Sequence, residues 1–412
     1  MRLTTTLLLS VLLIVVLFLL WIMGTPSPTP IADAESREYI DRLLPCSTDG
    51  GNRVDSYTSL GAVYDTLAAD IEGARCSVDA EFFKFEPDAI GQHLGALLSA
   101  KAQQGVSARL LYDDFVCRKW RWYYRHLQRQ GVQTAGFGPV RLPLPRKRDY
   151  YRNHRKAIVV DNRVAYIGGI NIAERYLHGV DWGTWRDTIV RIEGPAAVSV
   201  ANLFAADWHY ATGLLPDEHR TPPPAAPCGQ LPVRIVASGP IGDGPTILNH
   251  TIALLDAARH YVWFQSPYFI PPRELEEALL RAARRGVDIR VLLPRRGDRG
   301  ETTLWASRSH FARALDAGVR IALYQPGYLH SKIIVSDDRV GVVGSCNIDP
   351  RSYLLCQEVA AVVDSPEYAK ALKAIFADDE SQSLYIDPAA WHRRPLASKI
   401  KETLVRPLSS QL

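Results

Sequence analysis

Residues 153–171 read NHRKAIVVDNRVAYIGGIN, and residues 329–347 read LHSKIIVSDDRVGVVGSCN. The two stretches align without a gap at an offset of 176 positions, and nine of their nineteen residues are identical. The identical set includes His, Lys, Asp, Gly and Asn, types that do more than fill a core. After His154 the residues are β-branched and apolar, which predicts a strand. Side chains alternate along a strand, so His154 and Lys156 are expected on one side. Asp161-Asn162-Arg163 reads as a turn and VAYI as a returning strand, and Gly168-Gly169 lets the backbone approach closely before Asn171. The second copy repeats the pattern with His330, Lys332, Asp337, Gly344, Ser345 and Asn347.

The duplication extends beyond the motifs. TPPPAAPCG at 221–229 divides the body into halves over 50–220 and 230–390. Each half opens with a helix-like stretch ending in a β-run, CSVDAEFFKF at 76–85 and HYVWFQSPYFI at 260–270. A helix ending in glycine then feeds a second strand, QQGVSARLLYDD at 103–114 and RRGVDIRVLLP at 286–294. This order predicts an α/β fold of two pseudo-symmetric halves, each a mixed, largely parallel sheet flanked by helices. A hydrophobic content of 47% over 412 residues supplies substantial cores and excludes a disordered chain. The net charge of +4 suits phosphate-bearing partners without identifying one. The six cysteines show no zinc-ligand spacing and read as buried free thiols, with disulfides expected only outside the cytoplasm.

Leu7 to Met23 is an uncharged run of seventeen residues. As a helix it would span about 25 Å, close to a bilayer core, with Trp21 at the interface. A transmembrane anchor is therefore expected over 1–24. The competing reading is a cleaved signal peptide, with Ala32-Asp33-Ala34 as the cleavage site. Arg2 before the run and a Pro/acid-rich stretch after it favour a single-pass protein of the cell membrane with its body outside the cytoplasm. Residues 25–49, which include TPSPTP, read as a linker, and 391–412 as a C-terminal tail.

One copy of the motif supplies an imidazole, an ammonium and an amide. Lys and Asn suit phosphate oxygens, one as a point charge and the other as a directed N–H. Two copies brought together supply two imidazoles on opposite sides of one phosphate. Phosphodiester transfer needs that division: one His attacks phosphorus while the other protonates the leaving alkoxide and then deprotonates the incoming hydroxyl. A lone H-x-K on a strand is ordinarily surface decoration, but two complete copies in one context are not.

H-x-K-x4-D-x6-G-[GS]-x-N, present twice, resembles the signature of the phospholipase D superfamily. Within it the chain looks most like the bacterial cardiolipin synthases, with WRDTIVRIEGPA at 185–196, ASGP at 237–240, QSPYFIPP at 265–272 and YQPGYLHSK at 324–332 in support. The resemblance covers about 50–390. It implies a phosphohistidine intermediate with neither metal nor cofactor, His154 as nucleophile, and His330 as general acid and then base. Lys156, Lys332, Asn171 and Asn347 would hold the phosphoryl oxygens. The resemblance also implies an acid about thirty positions beyond each histidine, bonded to its far nitrogen, and Asp187 and Glu358 match those positions. Asp161 and Asp337 belong to the catalytic signature, although their turn positions read as mainly structural. Two departures stand out. This chain has one apolar span where such synthases usually have two, and Cys356-Gln357-Glu358 where they commonly have Asn-Phe-Glu.

RKRDYYRNHRK at 146–156 and CRKWRWYYRH at 117–126 mix cations with aromatics. They read as solvated faces, as an interface with anionic lipid, or as a nucleic-acid groove. The implied activity is a membrane-anchored phosphatidyltransferase that joins two phosphatidylglycerol molecules into cardiolipin and releases glycerol. The partners it implies are phosphatidylglycerol, anionic membrane lipid and the membrane. The alternative is a phospholipase D-type hydrolase or nuclease that uses the same residues with water as acceptor.

Overall fold

The computed structural model describes residues 33–46, 50–140, 147–217, 221–223, 225–297 and 301–407. Strands of the first half are β1 (Arg53–Tyr57), β2 (Ser77–Phe82), β3 (Ser107–Asp113), β4 (Gln133–Phe137), β5 (Arg152–Asn153), β6 (Lys156–Val160), β7 (Val164–Gly168), β8 (Thr184–Arg186) and β9 (Ile189–Glu193). Those of the second half are β10 (Val233–Ser238), β11 (Tyr261–Gln265), β12 (Asp288–Pro294), β13 (Arg320–Tyr324), β14 (Gly327–Leu329), β15 (Ile333–Ser336), β16 (Val340–Gly344), β17 (Cys356–Asp364) and β18 (Ser383–Tyr385).

The first sheet runs β1-β9-β7-β6-β2-β3-β4, and the second runs β10-β17-β16-β15-β11-β12-β13-β18. Parallel pairing is confined to β2-β3-β4 and β11-β12-β13; the other neighbours within these two paths are antiparallel. This corrects the expectation of largely parallel sheets. Strand–helix alternation holds only over those three strands of each half. The motif strands β6-β7 and β15-β16 are hairpins closed by tight turns, which makes them antiparallel, and β9 and β17 return antiparallel beside them after longer connections.

Helices cover the outer face of each sheet, forming two separate outer cores. The inner faces share a third core, built from both sheets and from the helices Ala196–Thr212 and Pro366–Ser381. Residues 196–208 of the first of these helices are all buried, as an apolar helix between two sheets must be. The halves therefore fold face to face around a common interior.

The transmembrane span expected over 1–24 lies outside the described residues. Among the described residues no helix is long and apolar enough to cross a membrane. The stretch read as linker carries a helix, Ala34–Leu43, whose first turn is capped by Asp33 accepting from the Ser36 backbone N–H. It docks through buried Ile40, and Leu44 beyond its end is buried as well. Arg37 donates to Asn202 (2.8 Å), and Asn202 donates to Asp41 and to the Leu44 carbonyl. The stretch read as a tail likewise carries the helix Leu396–Val405. Cys46, Cys76 and Cys228 are exposed rather than buried.

Candidate active site

The two halves meet through two short strand pairs related by the duplication. β8 pairs in parallel with β14, and the start of β17 pairs in parallel with β5. Glycine permits the first crossing. A Cβ on Gly327 would lie 2.1 Å from the Thr184 carbonyl oxygen, and one on Gly183 would lie 2.1 Å from that of Pro326. Each pair ends at a histidine. The His330 N–H donates to the Arg186 carbonyl (2.7 Å), and the His154 N–H donates to the Gln357 carbonyl (2.9 Å).

Each histidine thus lies beside the acid of the opposite half. His154 Nδ1 is 2.8 Å from Glu358 Oε1, and His330 Nδ1 is 2.6 Å from Asp187 Oδ2. Reading each acid as the partner of the histidine some thirty positions before it therefore paired them the wrong way round. Chain order cannot show which strand crosses to the other half, and the crossing strands reverse the pairing. The histidines also precede β6 and β15 rather than lying in them, so strand alternation does not place them. Lys156 Nζ donates to the His154 carbonyl (2.5 Å), and Lys332 Nζ does the same to that of His330, lying 2.8 Å from its Nδ1 as well.

His154 and His330 line one cavity of about 690 Å³, together with Asn171 and Asn347. The two motifs therefore converge on a single space. The lysines do not line it; both are buried at the carbonyls of their histidines. Asn171 accepts from the Lys84 backbone N–H (3.0 Å) and donates to Tyr176 Oη (2.6 Å).

Asp161 and Asp337 point elsewhere. Asp161 accepts from the backbone N–H groups of Arg75, Cys76 and Ser77 at 2.7–2.8 Å, and Asp337 from those of Arg259, His260 and Tyr261 at 2.8–2.9 Å. Each begins a turn with positive φ at two successive residues, 161–162 and 337–338. They fix hairpins to the start of β2 and β11, and their catalytic assignment is corrected to a structural one.

Burial pulls the His154 imidazole down to about 4, with Glu358 opposing and Lys156 adding to the fall. The same desolvation lowers Lys156 to about 7. Burial pushes the Glu358 carboxyl up, but His154, Lys156 and the Ser345 hydroxyl outweigh it, so it ends below its ordinary value. Asp187 follows the same logic: burial raises it, and Lys332, His330 and the Thr188 N–H bring it down overall. Both acids are thus held as carboxylates facing imidazole. This arrangement fixes the tautomer and turns Nε2 away from the acid.

Several residues around the histidines escaped the sequence reading. The Phe83 ring packs edge-on to His154 at 4.8 Å, and Trp185 and Tyr176 lie 5.1 and 6.0 Å from His330. Arg155 is fully buried, bonded to Asp207, to Asp243 (2.8 Å) and to the Glu358 carbonyl (3.1 Å). Arg152 is buried on Asp113 (3.1 Å). With Lys156 also buried, the cation run at 146–156 is not simply a lipid-facing surface, because its last three cations belong to the interior. In 117–126, Tyr123 and Tyr124 are core residues while Trp122 is exposed. Nothing in a charge run distinguishes buried from solvated cations; their carboxylate partners, far away in sequence, decide it.

A family model described as the PLD-like domain of cardiolipin synthase matches residues 67–208 and 251–380. A cardiolipin synthase from Geobacillus sp. is 37% identical over 354 residues, 85% of this chain and 70% of that protein. Cardiolipin synthase 1 from Staphylococcus epidermidis is 33% identical over 362 residues, 87% of this chain and 74% of that protein. Among solved structures, phosphatidylserine synthase from Haemophilus influenzae superposes with a TM-score of 0.67 at 14% identity, covering 92% of this chain and all of that one. At that identity the likeness establishes the fold alone.

Proposed function

We propose a function from one premise: the chain belongs to the phospholipase D-like cardiolipin synthase family. It makes cardiolipin, joining two phosphatidylglycerol molecules and releasing glycerol. The observation that carries the mechanism is the crossed pairing, which turns two sequence repeats into one site with two oriented imidazoles.

His154, neutral near pH 7 because burial holds it low, attacks the donor phosphorus through Nε2. The P–O bond to the headgroup glycerol breaks as His330 gives that oxygen a proton, and glycerol leaves. The resulting phosphatidyl-imidazolium is stabilised by Glu358 at Nδ1. A hydroxyl of the second phosphatidylglycerol then loses its proton to His330 and attacks phosphorus. The P–N bond breaks, His154 is restored and cardiolipin departs. Asn171 and Asn347, which line the cavity, bear on the phosphoryl oxygens, while Lys156 and Lys332, held behind the histidines, draw the phosphate by charge from outside the cavity wall. Acid–base help of this kind is typically worth roughly 10²–10⁴-fold.

The substrate places the enzyme at a membrane, and the uncharged run Leu7–Met23 is of a length to hold it there in a single pass, with the body outside the cytoplasm. Lipid extracts of cells expressing wild type or His154→Ala test the activity. Cardiolipin should accumulate with the wild type and not with the variant. Unchanged lipids in both would refute the reading.

A further inference from the structure

The helix Leu396–Val405 presents an apolar face that none of the described residues covers. Leu396, Ile400 and Leu404 are 70%, 49% and 70% exposed, and their i, i+4, i+8 spacing puts them on one stripe. The opposite face is anchored. Glu402, two residues and about 200° around the helix from Ile400, is buried and paired with Arg394 (2.6 Å). Lys401 lies over the Trp305 ring at 5.2 Å. The exposed stripe is thus the free side of a docked helix and not an unplaced end.

Cations predominate in the segment that carries the helix. From Pro388 to Pro407 the only acid is the buried Glu402, against Arg393, Arg394, Lys399, Lys401 and Arg406. Lys399 reaches back to the His392 carbonyl (2.7 Å), and Arg394 stacks on Trp391. The helix also has a direct link to the catalytic cavity. It packs on the helix Glu301–Asp316, whose Trp305 holds Lys401 and whose Thr302 and Thr303 line the cavity that contains both histidines. Apolar side chains flanked by cations, on a helix packed against the one whose first turn lines the cavity, complement one kind of surface: an apolar interior under an anionic headgroup layer.

We propose that the C-terminal helix Leu396–Val405 is an interfacial element that inserts Leu396, Ile400 and Leu404 into an anionic bilayer and seats the cavity against the leaflet supplying its substrate. From the proposed function this takes only that the substrate is a bilayer lipid. It differs from an N-terminal anchor, which would tether the chain without orienting the site.

Hydrogen–deuterium exchange resolved on peptides spanning 396–405 reads this directly in the full chain, one copy per lipid nanodisc. Discs of half phosphatidylglycerol should slow exchange in these peptides at least tenfold relative to discs of phosphatidylcholine alone. The Leu396→Gln/Ile400→Gln/Leu404→Gln variant should abolish that difference. It should also lose at least tenfold in kcat/KM on disc-borne phosphatidylglycerol and keep wild-type kcat/KM on a monomeric short-chain phosphatidylglycerol. Equal exchange in both discs overturns the inference, as does protection that appears only with two copies per disc, which would make the face a contact between chains. Equal loss on disc-borne and monomeric substrate also overturns it. Because exchange needs no turnover, a wild type that is protected but makes no cardiolipin would refute the activity alone.

Discussion

The two half-sites share a frame and differ in how they finish it. In both, a histidine N–H is tied to the opposite half, an acid from that half sits on Nδ1, and a lysine is folded back onto the histidine carbonyl. The differences lie one layer out. Behind Glu358 stands Ser345, whose hydroxyl donates to Oε2; the matching position behind Asp187 is Gly169, where a Cβ would come within 2.2 Å of Oδ1. Next to His154 the chain buries Arg155 among carboxylates, whereas next to His330 it places Ser331, bonded to Thr188 (2.7 Å). Trp185 and Tyr176 surround His330; Cys356 stands where the crossing strand of the other half matches Trp185, and Ser352 lies 176 positions beyond Tyr176. Duplication therefore brings two like half-sites to one cavity, and the departures from symmetry give each imidazole different surroundings.

The comparison breaks most visibly if the histidines are interchangeable. His330→Ala should slow release of glycerol, a poor leaving group, by up to roughly 10⁴-fold. It should slow the initial burst from a phosphodiester with an acidic phenol leaving group less than about tenfold, because that group departs without a proton. Equal losses would remove His330 as the acid.

Glu358→Gln should cost roughly 10⁴-fold in turnover, as expected when the carboxylate that stabilises an imidazolium is replaced by its amide. The pH profile sharpens the point. Nucleophilic attack needs neutral His154, and a pKa lowered to about 4 keeps it neutral well below 6.5. The acid limb of kcat/KM assigned to the nucleophile should therefore lie near pH 4. Glu358 raises the imidazole pKa, so its loss should move that limb further down. A limb at 6.5 in the wild type would contradict the buried, desolvated nucleophile.

The layer behind the acids gives smaller effects. Gly169→Ala should cost roughly 10²-fold by displacing Asp187 from His330, since misplacements of an ångström carry penalties of that order. Ser345→Gly removes one hydrogen bond to Glu358 and should cost roughly tenfold. Single-turnover rates for both variants check the order; a harmless Gly169→Ala would mean that Asp187 has room to move.

Much of this was legible in the sequence because the repeat carries its own chemistry. His154, Lys156, Asn171 and their counterparts stand in a context too specific to be core filling, and Asp161 and Asp337 betray their structural role by sitting where a hairpin must turn. Sheet direction was less legible, because helix–strand alternation covers only three strands of each half. The crossed acids were not legible at all. Both Asp187 and Glu358 lie near their own histidine in the chain, and only the pairing of β8 with β14 and of β5 with β17 sends each across. Arg155 looked like one more cation in a basic run, and its burial depends on Asp207 and Asp243, which no local pattern connects to it.

The account rests on His154 and His330 dividing one reaction between them. Rapid quenching of His330→Ala with a phenol-leaving phosphatidyl substrate, followed by peptide mapping under conditions that preserve the P–N bond, tests this most directly. Attack should proceed while transfer of the phosphatidyl group from His154 to an alcohol, which needs the missing base, lags. One phosphatidyl group per chain should therefore accumulate on the peptide containing His154. An adduct on any other residue, or a His154→Ala enzyme that still forms one at the same rate, would contradict it.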